Sequence, residues 1–252
     1  MQKNLLQLDG KRILITGAGT GIGRETAVLL SNMGAKLSLL DINPEHLTET
    51  LKSLTGNNHQ TFQYDLSDLS GIGQLINGIT TAGGPIDGFV HCVGIRSRRP
   101  LSQLLSENVA QVMAINFGSF IELTRCITKK KNFNGGLSIV AISSIAAQRG
   151  SQGVTAYAAS KAAVDSAVRC LAKELAPKKI RINTVVPGQI NTPAYTSLIQ
   201  MSGTTEDPVL KRQYLGLGEP EQVATAIAFL LSSASGLITG AAIPLDGGYL
   251  SS

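Results

Sequence analysis

Two hydrophobic patterns alternate along the chain. Short runs with apolar residues at consecutive positions occur at 12–16 (RILIT), 36–41 (KLSLLD), 86–93 (IDGFVHCV), 137–142 (LSIVAI) and 180–186 (IRINTVV). The runs at 60–65 (QTFQYD) and 241–245 (AAIPL) complete a series of seven. A strand that is apolar on successive residues is covered on both faces. Between the runs, apolar positions recur every three or four residues, most clearly in SKAAVDSAVRCLAKELAP. There Val164, Val168, Leu171 and Leu175 share one helical face, and Pro177 stops the run. Strands alternating with helices predict an α/β chain: a doubly wound parallel sheet of about seven strands with helices on both faces, joined by right-handed crossovers. Ligands of such sheets bind beyond the strands' carboxyl ends.

No repeat or linker interrupts the alternation, so residues 1–252 are expected to form a single domain. The weakest stretch for structure is 191–215 (NTPAYTSLIQMSGTTEDPVLKRQYL), which is expected to be a substrate lid loop. Charged residues are sparse and 43% of the chain is hydrophobic, which excludes a disordered or coiled-coil chain. The net charge of +5 arises from separate clusters, RSRR at 96–99, KKK at 129–131 and KKIR at 178–181, rather than one aromatic-bearing stripe. Nucleic acid is therefore not an expected partner. No apolar run reaches membrane-spanning length, and MQKNLLQLDGKR lacks the features of a signal peptide, so a cytoplasmic protein without a membrane partner is expected. Cys92, Cys126 and Cys170 lie apart in apolar segments, as reduced thiols do, and the few histidines form no ligand pair, so no metal site is expected.

The stretch from Gly17 to Gly23, GAGTGIG, lies between the first strand and a helical pattern. Gly17 and Gly21 would let backbone amides approach a pyrophosphate at a helix N-terminus, and Gly23 would let that helix pack closely on the sheet. Asp41 ends the second strand 18 residues beyond Gly23, close to the usual separation for a carboxylate that binds the adenosine ribose hydroxyls. A 2′-phosphate beside Asp41 would be repelled, and DINPEH supplies no adjacent Arg or Lys. These residues predict a Rossmann-type site with NAD as cofactor, NADP being disfavoured.

YAASK at 157–161 is a weak signal as a bare pattern, but it opens the amphipathic helix after the fifth strand. Tyr157 and Lys161 then stand one turn apart on the same face, and an ammonium beside a phenol stabilises the phenolate. Ser144 lies 13 residues before Tyr157 at the end of SIVAISS, and strand alternation turns Ser143 elsewhere. Asn116 sits in MAINFGS. With Thr16, Gly17, Gly21 and Gly23 in the spacing T-G-x-x-x-G-x-G, these motifs resemble the short-chain dehydrogenase/reductase family over essentially the whole chain.

The resemblance implies a catalytic set of Asn116, Ser144, Tyr157 and Lys161. In alcohol oxidation Tyr157 takes the hydroxyl proton as hydride leaves for the nicotinamide, and Ser144 hydrogen-bonds the substrate oxygen. Lys161 holds the nicotinamide ribose and lowers the Tyr157 pKa, while Asn116 supports a proton-relaying water; ketone reduction uses the same groups in reverse. It also implies cofactor contacts from Thr20, Ile22, Asp65, Leu66, Val93, Gly94, Pro187, Gly188, Ile190 and Thr192. The closing LITGAAIPLDGGYL resembles the family's C-terminal tail at subunit interfaces, implying a homotetramer or homodimer. Where the family commonly reads N-N-A-G, this chain has His91, Cys92, Val93 and Gly94, and His91 reads as a hydrogen-bonding core side chain or as a titrating functional group.

Two substrate readings stay open: a small-molecule secondary alcohol or ketone, and a 3-oxoacyl thioester as in carrier-protein reductases. Lys130, Lys131 and Lys178 suit an acidic carrier or plain solvation, and Arg96, Arg98 and Arg99 suit an anionic substrate or a solvent-facing loop. A non-catalytic dinucleotide-binding protein is the third, less favoured, reading.

Overall fold

The computed structural model describes residues 4–202 and 207–251. Seven strands, β1 (Arg12–Thr16), β2 (Lys36–Asp41), β3 (Gln60–Gln63), β4 (Ile86–His91), β5 (Phe133–Ile142), β6 (Ile180–Pro187) and β7 (Ala242–Leu245), form one sheet. All neighbours pair in parallel in the order β3-β2-β1-β4-β5-β6-β7. The strand order reverses between β1 and β4, so the crossovers leaving these strands diverge and open a crevice at their carboxyl ends.

The consecutive apolar residues of the strands face two separate cores. On β1, Ile13 and Ile15 join Leu37, Leu39, Val90 and Val185 in the core beneath helices α1 (Gly21–Asn32), α2 (Pro44–Lys52) and α8 (Pro220–Leu231). Leu14, between them, points into the opposite core with Leu40, Phe89 and Ile139. Helices α3 (Ile72–Gly83), α5 (Ser119–Ile127) and α6 (Thr155–Leu175) cover that side with Ile76, Leu123, Val164 and Val168. Helix α4 (Ser106–Met113) runs into α5 through one π turn, Ala114–Gly118, which holds Asn116.

The strand ends depart from the sequence pattern where turn chemistry intervenes. β3 stops at Gln63 because Asp65 turns the chain by accepting the Ser67 amide at 2.8 Å. β4 stops at His91, so Val93 and Gly94 belong to the loop rather than to the strand. The segment 191–215 is less irregular than its composition suggests: it holds α7 (Pro193–Ser202) and a short 3₁₀ turn at Leu210–Arg212. Thr192 starts α7 by accepting the Tyr195 amide at 3.2 Å, the capping chemistry that the scattered Thr and Ser residues obscured. Residues 203–206 of this segment lie outside the described residues. No described helix is long and apolar enough to cross a membrane.

His91 answers one of the questions left by the sequence. It is buried between Phe89 and Phe120, with Nδ1 3.0 Å from Thr16 Oγ1, and Nε2 has no partner. Burial, reinforced by the charge of Lys161, lowers its pKa to about 3, so the imidazole stays neutral as a core side chain. The unfolded chain protonates this group near 6.5, so it binds more protons than the folded chain between 6.5 and 3, and stability falls as pH drops through that window. Between pH 6.5 and 4.5 the wild type is expected to lose about 2–3 kcal/mol more than His91→Asn, measured by urea unfolding at the two pH values. Equal losses would show that His91 is not held neutral.

Candidate active site

Gly17 lies at the tip of β1 with φ +66°, and a Cβ there would stand 3.2 Å from the backbone of Cys92 and Val93 after β4. Only glycine combines that conformation with so close an approach. Gly23 is constrained more tightly still: a Cβ would lie 2.0 Å from the Gly17 carbonyl oxygen, so the first turn of α1 rests directly on the end of β1. Thr20 is the N-cap of α1 but makes no side-chain cap, and the first turn contains no acidic residue. The partial positive charge of this helix end is therefore not offset by its own sequence.

These elements border a cleft of about 360 Å³ across the β1/β4 reversal. Of the predicted cofactor residues, Gly17, Thr20, Gly21, Ile22, Gly23, Asp41, Asp65, Leu66, Val93, Gly94 and Thr192 line it. Pro187, Gly188 and Ile190 do not. Pro187 ends β6 in register with Leu245, Gly188 borders a second, smaller cavity, and Ile190 is buried in the core beneath α8. The walls also include Leu40, Ile42, Tyr64, Ile95, Ile115 and Pro193, which no motif identified. Ile42 and Pro193 are chain neighbours of residues that were identified, whereas Tyr64 and Ile115 had no signal of their own.

Asp41 is held from two sides. Its Oδ2 accepts the Gly19 amide at 2.9 Å and its Oδ1 accepts the Asn43 amide at 3.1 Å, tying the glycine loop to the turn after β2. Gly19 lay within the motif, but its role appears only when β2 is laid beside β1. Among the described residues, no Lys or Arg lines the cleft. An adenosine ribose fits beside Asp41 and a pyrophosphate fits the open N-terminus of α1, because the glycine cradle supplies the space and the donors.

Beyond Gly94 the catalytic candidates converge. Ser144, just past β5, and Tyr157, on the first turn of α6, line one cavity of about 80 Å³, and Ser144 Oγ also accepts the Ala146 amide at 3.2 Å. Ser143 faces the other way, donating to the Lys161 carbonyl at 3.5 Å, as strand alternation predicts. Lys161, one turn along α6, is 3% exposed and donates from Nζ to the Ile142 carbonyl at 2.7 Å. Its Nζ is 6.0 Å from the Tyr157 ring centroid, and a Cβ on Gly94 would meet it at 3.1 Å, so it stands where the cleft and the smaller cavity adjoin. Asn116 is fully buried with its amide committed. Oδ1 accepts the Ile95 amide at 2.8 Å, and Nδ2 donates to the Ile95 carbonyl at 3.0 Å and to Ser160 Oγ at 2.9 Å. Its side chain thus ties the loop after β4 to α6. The smaller cavity also has Arg96, Arg149, Gln189 and Tyr249 on its walls, brought in from four separate loops.

The electrostatics differ from the simple lysine-beside-phenol expectation. Burial raises the Tyr157 pKa, opposed by the neighbouring Ser144 hydroxyl and by the charge of Arg96. The Lys161 ammonium is directed at a carbonyl, and burial depresses its own pKa to about 8. Cys92, on the cleft wall, is pushed up to about 12 by burial and remains a thiol. Among the described residues no group of three His, Cys, Asp or Glu side chains is arranged to hold a metal ion.

A glycine-lined cleft at a sheet reversal, with a Ser–Tyr–Lys group at its inner end, defines a dinucleotide-dependent oxidoreductase architecture. The family model described as enoyl-(acyl carrier protein) reductase matches residues 17–250. The 3-oxoacyl-(acyl-carrier-protein) reductase of Thermotoga maritima is 36% identical, aligning 97% of this chain with all of its own length. The 7alpha-hydroxysteroid dehydrogenase of Escherichia coli K12 is 32% identical over 96% of this chain and 95% of its own. Among solved structures, levodione reductase superposes with a TM-score of 0.91 at 30% identity, covering 97% of this chain and 99% of that one. Actinorhodin polyketide ketoreductase with NADPH gives 0.90 at 27% identity over 95% and 97%. The chain belongs to the short-chain dehydrogenase/reductase family, whose oxidoreductases act on hydroxyl and keto groups with a nicotinamide cofactor.

The depressed Lys161 pKa carries a stability signature. Unfolded lysine titrates near 10.5 and Lys161 near 8, so the unfolded chain binds more protons between these values and stability gains from this group as pH rises through them. Between pH 8 and 10, the stability of wild type relative to Lys161→Met is expected to rise by about 2–3 kcal/mol in parallel urea titrations. A flat difference would mean that the ammonium is well solvated.

Proposed function

We propose that the protein interconverts a small secondary alcohol and its ketone, with NAD as redox partner and Tyr157 as general acid/base. The convergence of Ser144 and Tyr157 on one cavity, beside a buried Lys161 at the inner end of the cleft, carries this reading. The nicotinamide, when bound, supplies or accepts the hydride. Ser144 would hold the substrate oxygen through its hydroxyl while Tyr157 takes the alcohol proton or gives it back to the ketone oxygen. Lys161 would hold the nicotinamide ribose, and the charge of Arg96 would favour the phenolate form of Tyr157. Asn116, through its links to Ile95 and Ser160, would fix the loop that separates the two cavities. Gly17, Thr20, Gly21, Ile22, Gly23, Asp65, Leu66, Val93, Gly94 and Thr192 would contact the cofactor, with Pro187, Gly188 and Ile190 supporting its nicotinamide end.

The preference for NAD rests on the Asp41 carboxylate and the absence of cations from the cleft walls. A 2′-phosphate would face that carboxylate without a counter-charge. NADPH in the polyketide ketoreductase makes NADP the alternative. The chain is proposed to act as one domain, with 191–215 as a lid over the substrate. It is proposed to assemble as a homotetramer or homodimer that covers exposed apolar surface such as Leu215, and its free thiols suit the cytoplasm. Reduction of a 3-oxoacyl thioester is the second reading, favoured by the Thermotoga maritima relative and by Lys130 and Lys178, which share one surface hollow suited to an acidic carrier.

Oxidation of NADH and NADPH with acetoacetyl thioesters and with a panel of small ketones tests these readings. Tyr157→Phe is expected to lower kcat by about 10²–10⁴-fold, and turnover that survives it undiminished would remove Tyr157 from the acid/base role. Wild type is expected to favour NADH by at least about tenfold in kcat/KM, the effect of roughly one unpaired charge contact. Asp41→Ser combined with Ile42→Arg should reverse that preference. NADPH-selective wild-type turnover would overturn the cofactor assignment.

A further inference from the structure

The small cavity at Ser144 and Tyr157 is lined by two arginines and, among the described residues, by no carboxylate. Arg96 comes from the loop after β4 and its guanidinium carbon stands 5.8 Å from the Tyr157 ring centroid. Arg149 comes from the segment between β5 and α6 and stands 5.8 Å from the Tyr249 ring centroid. Among the described residues, neither meets a carboxylate within salt-bridge distance. The nearby acid, Asp207, accepts Gln189 Nε2 at 2.8 Å and the Val209 amide at 2.8 Å, so it is already engaged.

Stacking on an aromatic ring uses the face of a guanidinium and leaves its N–H edge free. An exposed stacking contact is also worth too little to explain why two arginines from different loops converge on one cavity. Like charges gathered there repel, and an anion between them would relieve that repulsion while accepting forked hydrogen bonds. At about 80 Å³ the cavity suits a short substrate rather than a large apolar one.

We propose that Arg96 and Arg149 form an anion subsite, so that the substrate is a small hydroxy or oxo compound carrying a carboxylate or phosphate close to the reacting carbon. This rests on the proposed alcohol/ketone reaction at Ser144 and Tyr157, and it favours that reading over the thioester one, since a 3-oxoacyl thioester is uncharged near its keto group. The anion, once held, aims the carbonyl oxygen at Ser144 and Tyr157, which converts binding into orientation.

Calorimetric titration of the protein saturated with NAD⁺, and separately with NADP⁺, tests this without turnover, because an oxidised cofactor has no hydride to give a ketone. The probes are two matched pairs, acetoacetate with methyl acetoacetate and dihydroxyacetone phosphate with dihydroxyacetone. The anionic member of at least one pair is expected to bind at least about tenfold more tightly, and the pair that responds identifies carboxylate or phosphate as the group. Arg96→Gln and Arg149→Gln should each move that ratio towards one, and Arg149→Lys should restore it only in part because the fork is lost. Equal binding within both pairs, no measurable binding of any probe at millimolar concentration, or a ratio that survives both substitutions would overturn the subsite. Cofactor binding and the loss of turnover in Tyr157→Phe are read separately, so a failed reaction is distinguished from a failed subsite. If a glutamine variant does not fold, the wild-type ratios and Arg149→Lys still decide.

Discussion

The contact between the end of β1 and the first turn of α1 governs the rest of the molecule. With only 2.0 Å between the Gly17 carbonyl oxygen and the place where a Cβ of residue 23 would stand, any side chain at that position would push the helix start off the strand end. That closeness sets the α1 amides at the mouth of the β1/β4 crevice. It also brings Gly19 to within 2.9 Å of the Asp41 carboxylate, so Asp41 is positioned by the glycine loop on the other side of the cleft mouth. Burial of both sheet faces makes the arrangement rigid, since a shift of β1 would disturb two cores at once.

The inner half of the site depends on the same frame by a longer route. Asn116 spends its whole amide on joining Ile95 to Ser160, which fixes the β4 loop against α6. Tyr157 and Lys161 are then held on one face of α6, with Lys161 anchored to the Ile142 carbonyl at the end of β5. A π turn at Asn116 widens the helix where this junction is made, a common feature of helices at functional positions. His91 adds a neutral wedge between the two phenylalanine rings.

Much of this was legible in the sequence because local rules and global architecture agree. Strands covered on both faces read as unbroken apolar runs, and all seven were found within a few residues of their ends. Gly17, Gly23 and Asp41 were legible because one strand-turn-helix unit and the next strand fix their separation. What could not be read depends on contacts between distant segments. The cleft walls Tyr64 and Ile115 carry no local signature, and α7 was hidden because Thr192 and Pro193 look alike in a loop and at a helix start. The side chain of Ile190 faces the core beneath α8 rather than the cleft, a direction set by packing against a helix some 30 residues further on. Similarly, Arg96 appeared as one of several surface arginines until the fold brought Arg149 to the same cavity.

The distribution of charge across the site follows from these placements and bears on how it discriminates. Among the described residues, Asp41 and Asp65 line an outer cleft without lysine or arginine, whereas the inner cavity is lined by Arg96 and Arg149 and no carboxylate. Lys161 stands between them, buried and with a depressed pKa, so it contributes less positive charge than an exposed lysine would. Burial alone would hold the Tyr157 proton too firmly for easy exchange; Ser144 and Arg96 oppose it. In the proposed reaction Arg96 would therefore both hold the substrate anion and ease proton exchange at Tyr157, coupling recognition to chemistry at a single residue.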